Sequence, residues 1–120
     1  MEPKIDGTTF GSITIGGETL KRDIVIRLSG KVKKRKKKLS KKVYGTSHKI
    51  SLEEAKHVYQ TGAERLIIGA GQFGMVELSE EASGYFEKKG LTIDLLPTKM
   101  AIDVWNSAEG AVIGLFHITC

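Results

Sequence analysis

Apolar and polar positions along the chain fall into short blocks with two different periods. Thr9 to Ile15 alternates, with Ile13 and Ile15 on one face, and predicts a strand. Gly16-Gly17 supplies the positive φ angles of a tight hairpin turn, and Thr19 to Leu28 predicts the returning strand, with Ile24, Ile26 and Leu28 opposite Val25 and Arg27. From Ser51 the period changes to helical. Ser51 with Glu54 three residues later spells a capping box, Leu52, Ala55, Tyr59 and Gly62 share a face, and Gly62 is the expected left-handed stop. Leu66-Ile67-Ile68 reads as a strand covered on both sides. Ser79 caps a second predicted helix with Ala82, Tyr85 and Phe86 inward and Gly90 at its end. Leu91 to Leu96 is the next strand, and Pro97 breaks it. Thr98 is the expected cap of a third helix, with Met100, Ala101, Val104, Trp105 and Ala108 as its buried stripe and Gly110 as its stop. Ala111 to Ile118 is the last strand. The order hairpin, helix, strand, helix, strand, helix, strand predicts an α/β fold. It is a three-layer single domain over residues 1–120, with a mixed, largely parallel central sheet, an N-terminal β-hairpin and three helices.

Charge changes this picture at one place. The net charge of +5 is very unevenly spread. Arg27 to Lys49 holds eleven Lys/Arg and no acid, so the rest of the chain carries a net −6. Nine of those cations lie between Lys31 and Lys42, a density that predicts a mobile loop or an exposed ribbon over about 31–42. Lys33, Lys34, Arg35, Lys36, Lys37 and Lys38 are its candidate polyanion contacts, through salt-sensitive, sequence-independent attraction for phosphates. Aromatic side chains that would stack on single-stranded bases are missing from the run, and Tyr44 is the nearest, so nucleic acid is not the favoured partner. The bland alternative is a lysine-protected edge.

Composition narrows the class. Hydrophobic residues at 40% and charged residues at 28% of 120 support a folded core. No apolar run approaches the roughly 20 residues of a membrane span, and Met1-Glu2-Pro3-Lys4 lacks the apolar stretch of a secretion signal. Cys120 is the only cysteine, which excludes an internal disulfide and fits a reducing cytoplasm. Asn and Gln are limited to Gln60, Gln72 and Asn106 while Lys and Glu abound, a balance that leans towards a heat-adapted source.

Several of these segments, in this order, resemble a known family along nearly the whole chain. They are Asp23-Ile24-Val25, Tyr44-Gly45-Thr46-Ser47-His48, Ile68-Gly69-Ala70-Gly71, Pro97-Thr98 with Ala101 and Asn106, and Phe116-His117-Ile118-Thr119-Cys120. The resemblance is to the Mth-type uncharacterised domain, also called the adipogenesis-associated domain, whose relatives include a mitochondrial complex I assembly factor. Trp105 stands where Tyr is usual, and the basic run is absent from the animal and mitochondrial members. The resemblance implies a compact three-layer α/β fold with a mixed sheet, no established reaction, and protein–protein contact rather than catalysis.

Candidate chemistry is sparse. Gly69 to Gly74 spells G-x-G-x-x-G after an apolar strand, with Asp94 twenty residues on, near where a ribose-binding acid would stand. Met75 to Leu78, however, separates the loop from its helix, so the dinucleotide fingerprint is incomplete and the alternative is a tight, glycine-packed connection. A smaller anion or small-molecule pocket is the remaining ligand reading. It would be formed by Gly69, Gly71, Gln72, Gly74 and Thr98, with Thr46, Ser47 and His48 as accessory residues, and it leaves room for an enzyme. His48, His117 and Cys120 match no metal spacing and no nucleophile–base set. His117 reads as a satisfied sheet histidine and His57 as solvated. No catalytic residue, metal ligand or cofactor is therefore assigned. The expected function is a non-enzymatic binding or assembly module with a protein partner or a second copy of itself, with Phe73 or Trp105 as candidate anchors. Trp105 fits the core better, because it shares a helical stripe with Ala101 and Ala108.

Overall fold

The computed structural model describes residues 3–120. Three strands open the chain: β1 (Ile5–Thr9), β2 (Ser12–Ile15) and β3 (Glu18–Leu20), paired antiparallel in that order. The predicted Gly16-Gly17 turn joins β2 to β3, with φ of +57° and +83°, the sign at both central residues that a two-residue hairpin loop of matching twist requires. The predicted hairpin is thus two-thirds of a three-stranded meander. The predicted strand from Thr19 to Leu28 divides in two. Its first part stays in the meander. Its second part, β4 (Ile24–Ile26), enters the main sheet because all three of its side chains are buried.

The basic run is ordered. It forms β5 (Val32–Lys34), an edge strand antiparallel to β4, and then the helix α1 (Lys38–Tyr44). The dense lysines concealed this helix. Its one buried residue is Ser40, and Gly45, at φ +72°, closes it with an N–H donated to the Lys41 carbonyl. Next come β6 (Lys49–Ile50), α2 (Leu52–Val58), β7 (Arg65–Ala70), β8 (Glu77–Leu78), α3 (Glu80–Lys88), β9 (Thr92–Leu96), α4 (Thr98–Ser107) and β10 (Val112–His117). There are four helices among the described residues, one more than the sequence predicts.

The main sheet runs β5-β4-β10-β7-β9. Its β10–β7 and β7–β9 pairings are parallel, while β10–β4 and β4–β5 are antiparallel, so the sheet is mixed. Leu66 and Ile68 of β7, with Ile113 and Leu115 of β10, meet Ala55 and Val58 of α2 and Ala82 and Phe86 of α3 on one face. On the other face Ile24, Ile26, Ile67, Val112 and Phe116 meet Ala101, Ile102 and Trp105 of α4, together with Ile5 and Ile13 of the meander. Trp105 is core, and its ring stands edge-on to Phe116 at 5.9 Å.

Local details depart from expectation where tertiary partners outbid local ones. Ser51 Oγ caps α2 through the Glu54 amide, but the return arm of the capping box is missing, because the Ser51 amide donates to Ser40 Oγ. The inward face of α2 is Glu54, Ala55 and Val58, and the helix ends at Val58, before Gly62. Met100 faces solvent and Ile102 takes its expected place inside.

Candidate functional site

The antiparallel arm of the sheet and α1 enclose a cleft of about 740 Å³. The connection from β3 to β4 contributes Lys21, Arg22 and Asp23. The end of β5 and the loop behind it contribute Lys34 to Lys37, and α1 contributes Lys38, Leu39 and Lys41. Strand alternation explains the selection. Lys34 pairs with Ile24 and shares its face, whereas Lys33 pairs with Val25 and belongs to the opposite side.

Arg35, read from the sequence as one more surface cation, is a correction: it is buried and its donors are committed inside the protein. Nε and Nη2 donate to the two carboxylate oxygens of Glu54 at 2.7 and 3.1 Å, Nη1 to Asp23 Oδ2 at 2.9 Å, and Nη2 also to the Ser47 carbonyl at 2.7 Å. Burial alone would lower the arginine pKa; the hydrogen bond and charge of Glu54, and then of Asp23, raise it instead. Ser40 reaches into the same cluster, donating to Glu54 Oε1, while Ser51 Oγ donates to the Leu39 carbonyl. These bonds fix α1 to α2 beneath a surface of lysines.

Asp23 extends the network to β10. Its Oδ2 is 2.6 Å from His117 Nδ1, and its Oδ1 accepts from the Ile118 amide at 3.0 Å. Burial pushes the Asp23 pKa up, but the hydrogen bond and charge of His117 and the charge of Arg35 outweigh it and hold the carboxyl at about 2. Lys37 Nζ approaches the same oxygen at 3.6 Å from the cleft side. His117 Nε2 lies 3.1 Å from Thr119 Oγ1, and the His48 ring stands edge-on to His117 at 5.3 Å.

Asp23, His117 and Thr119 therefore have the connectivity of an acid–base–hydroxyl relay. His117 is buried, and several of the backbone amides near it are already engaged. Gln72 donates to the Thr119 carbonyl, and Phe73 and Met75 donate to the Cys120 carbonyl. Among the described residues no group of three or more His, Cys, Asp or Glu is arranged to hold a metal ion.

The same bonds overturn the expected pocket at Gly69, Gly71, Gln72 and Gly74. This stretch is filled by the chain itself: Thr119 and Cys120 lie in it. A Cβ on Gly71 would sit 2.2 Å from the Cys120 carbonyl carbon, and Gly71 has φ +99°. A Cβ on Gly69 would meet Phe116 at 2.8 Å, and one on Gly74 would touch Pro97. Thr98 is fully buried and makes no side-chain cap of α4; its hydroxyl donates to the His117 carbonyl at 2.6 Å and accepts from the Gly71 amide at 2.9 Å. It has nothing left to offer an anion. Asp94 pairs with Arg65 at 2.6 Å. Thr46 Oγ1 accepts from the His48 amide, Ser47 is buried, and the His48 carbonyl accepts from Glu77 as β6 pairs with β8.

Of the predicted polyanion residues, Lys34, Lys36, Lys37 and Lys38 converge on the cleft. Lys41, another of the nine cations of the run, joins them there, and so do Lys21 and Arg22, which sequence reasoning missed. The Lys21-Arg22 pair lies just before a strand paired to the basic ribbon, and that pairing was the available signal.

Fold and site together define a mixed α/β domain built around a charged cleft and an internally satisfied ionic network. The chain belongs to the family described as a protein of unknown function (DUF498/DUF598), whose model matches residues 5–116. It is similar to the conserved hypothetical protein PH1505 from Pyrococcus horikoshii OT3, with 34% identity and a TM-score of 0.88 over 98% of this chain and 99% of that one. It is also similar to the protein MT938, with 33% identity and a TM-score of 0.81 over 99% and 100%. A Bordetella parapertussis protein at 15% identity shares the fold, with a TM-score of 0.73 over 96% of this chain and 94% of that one. No helix among the described residues is long and apolar enough to cross a membrane.

Proposed function

We propose that the protein is a non-enzymatic binding module that takes an anionic ligand into the basic cleft. The observation that carries this reading is convergence. Eight of the ten residues lining the cleft are Lys or Arg and one is Asp, a net +7 in about 740 Å³. Like charges held this close repel one another, and a concave wall of one sign concentrates counter-ions of the other. Retention on a heparin column tests it. The wild type is expected to elute at distinctly higher salt than Lys34→Ala/Lys36→Ala/Lys38→Ala; coincident elution would refute a role for the cleft.

A second reading, assembly with a protein partner or a second copy, rests on a different observation. Phe10 and Phe73 are 60% and 72% exposed and lie ring to ring at 6.3 Å, an apolar pair of the kind that anchors interfaces. The resemblance in sequence to the adipogenesis-associated domain, whose relatives include a complex I assembly factor, supports this reading. Sedimentation of wild type and Phe10→Ser/Phe73→Ser across a concentration series tests self-association, and identical profiles would remove the pair from it. The single cysteine suits a reducing, cytoplasmic setting, and the Lys- and Glu-rich, Asn- and Gln-poor composition suits a heat-adapted host.

A further inference from the structure

We infer that the cleft binds a short chain of linked phosphates, gripped through the phosphates alone. This rests on the anionic-ligand reading and narrows it. Three features of the cleft select the ligand.

The first is shape. The cations come from three separate segments, Lys21-Arg22, Lys34 to Lys38, and Lys41, and they surround a hollow whose floor is the buried pair Asp23 and Arg35. A volume of about 740 Å³ is in the range of small-ligand sites, roughly 300–1,000 Å³. A compact, flexible polyanion can enter such a hollow; a duplex presents a convex surface to it.

The second is the kind of cation. Of the seven lining cations that reach solvent, six are lysines and only Arg22 is an arginine. Lysine ammonium groups are point charges with rotating donors. They satisfy phosphate oxygens at many angles, whereas planar bidentate recognition calls for arginine. A string of tetrahedral phosphates is the ligand that suits them.

The third is what the lining omits. No aromatic, Asn or Gln contributes to it, so there is no stacking platform and no amide to read a base edge. The floor is closed as well. Asp23 is engaged by Arg35, His117 and the Ile118 amide, and its remaining neighbour is Lys37 at 3.6 Å. The acid neither draws a cation in nor repels phosphate as a free charge would.

Linked phosphates reach a cell protein as nucleoside triphosphates or as inorganic polyphosphate, and the same assay separates these sources. Isothermal titration of the full chain at low and moderate salt would use inorganic tripolyphosphate, ATP, orthophosphate and a dT12 oligonucleotide. Tripolyphosphate and ATP are expected to bind saturably, with affinity falling as salt rises, and orthophosphate about 100-fold more weakly, since it meets only one or two of the cations. Comparable affinities for the first two assign the inorganic chain as a sufficient ligand; a preference for ATP of about tenfold or more would mean that the nucleoside is read as well and would overturn recognition through the phosphates alone. Lys34→Ala/Lys36→Ala/Lys38→Ala is expected to lose about tenfold for both, and the corresponding triple Lys→Arg variant to retain binding, with unchanged circular dichroism in each. Orthophosphate as tight as tripolyphosphate, or loss of binding absent from the alanine variant, would overturn the inference. If dT12 binds through these lysines and tripolyphosphate does not, the inference falls while the anionic-ligand reading stands. If no probe binds, both fall.

Discussion

Arg35 and Glu54 meet in a two-pronged ion pair, Nε to Oε2 at 2.7 Å and Nη2 to Oε1 at 3.1 Å, with neither side chain exposed to solvent. The pair ties the basic edge of the sheet to α2, and Asp23 completes it on the other side of the guanidinium. Its value lies less in the attraction itself than in what its loss would leave behind. Arg35→Ala strands two buried carboxylates, and breaking such a cluster costs about 3–5 kcal/mol. Urea unfolding is the measurement. A variant within about 1 kcal/mol of wild type would show that water or another cation replaces the guanidinium.

Asp23 makes part of the fold's stability depend on pH at the acid end. Its folded pKa of about 2 lies below the ordinary aspartate value of about 3.9, so the native state binds its proton less readily than the unfolded chain does. The sign follows: its contribution is fully present above about pH 4 and is lost as pH falls through about 2. Urea midpoints measured from pH 2 to pH 6 are expected to rise across this window. Asp23→Asn should remove that part of the slope, and an unaltered slope would move the effect to other carboxyls.

Two glycine-to-alanine changes should have opposite signs. Gly71→Ala places a methyl against the Cys120 backbone at a positive φ and is expected to cost at least about 2 kcal/mol. Gly84 lies in the exposed interior of α3 with nothing within 4 Å of an added Cβ, so Gly84→Ala should stabilise by about 0.5–1 kcal/mol. Thermal unfolding of both checks this. A harmless Gly71→Ala would mean that Thr119 and Cys120 move aside at little cost.

His57 reports on the cationic surface. Burial lowers its pKa, and the charges of Lys36, Arg27 and Lys33 lower it further, against a smaller opposing effect of Glu54. Lys36→Ala should therefore raise the His57 pKa, read from its ring resonances in an NMR titration. No movement would place the Lys36 ammonium too far away to matter.

Much of the architecture was legible because its signals are local. Ser79 caps α3 through the Ala82 amide, as its position before Glu80-Glu81 predicts, and Leu66-Ile67-Ile68 is the doubly covered strand its unbroken apolarity implies. What stayed hidden depends on partners distant in sequence. Arg35 looks like its lysine neighbours until Asp23 and Glu54, 12 and 19 residues away, are seen to enclose it. Glu54 stands where a capping box needs it but spends its carboxylate on Arg35. The glycines at 69, 71 and 74 look the same in sequence whether the group they admit is a phosphate or the protein's own backbone. The cleft was half legible: the ribbon's lysines announce themselves, whereas Lys21 and Arg22 acquire meaning only when β4 pairs with β5.

β10 is the last strand along the chain, yet it lies in the middle of the main sheet, antiparallel to β4 and parallel to β7. On the ribosome every other strand emerges first. Until β10 arrives, the nascent chain carries two unpaired, strongly apolar strand edges, those of β4 and β7, and neither half of the sheet has its neighbour. Such edges recruit foreign strands readily. Closure of the sheet is thus a single late insertion, and the interval before it is when the β4 and β7 edges stand open to foreign strands.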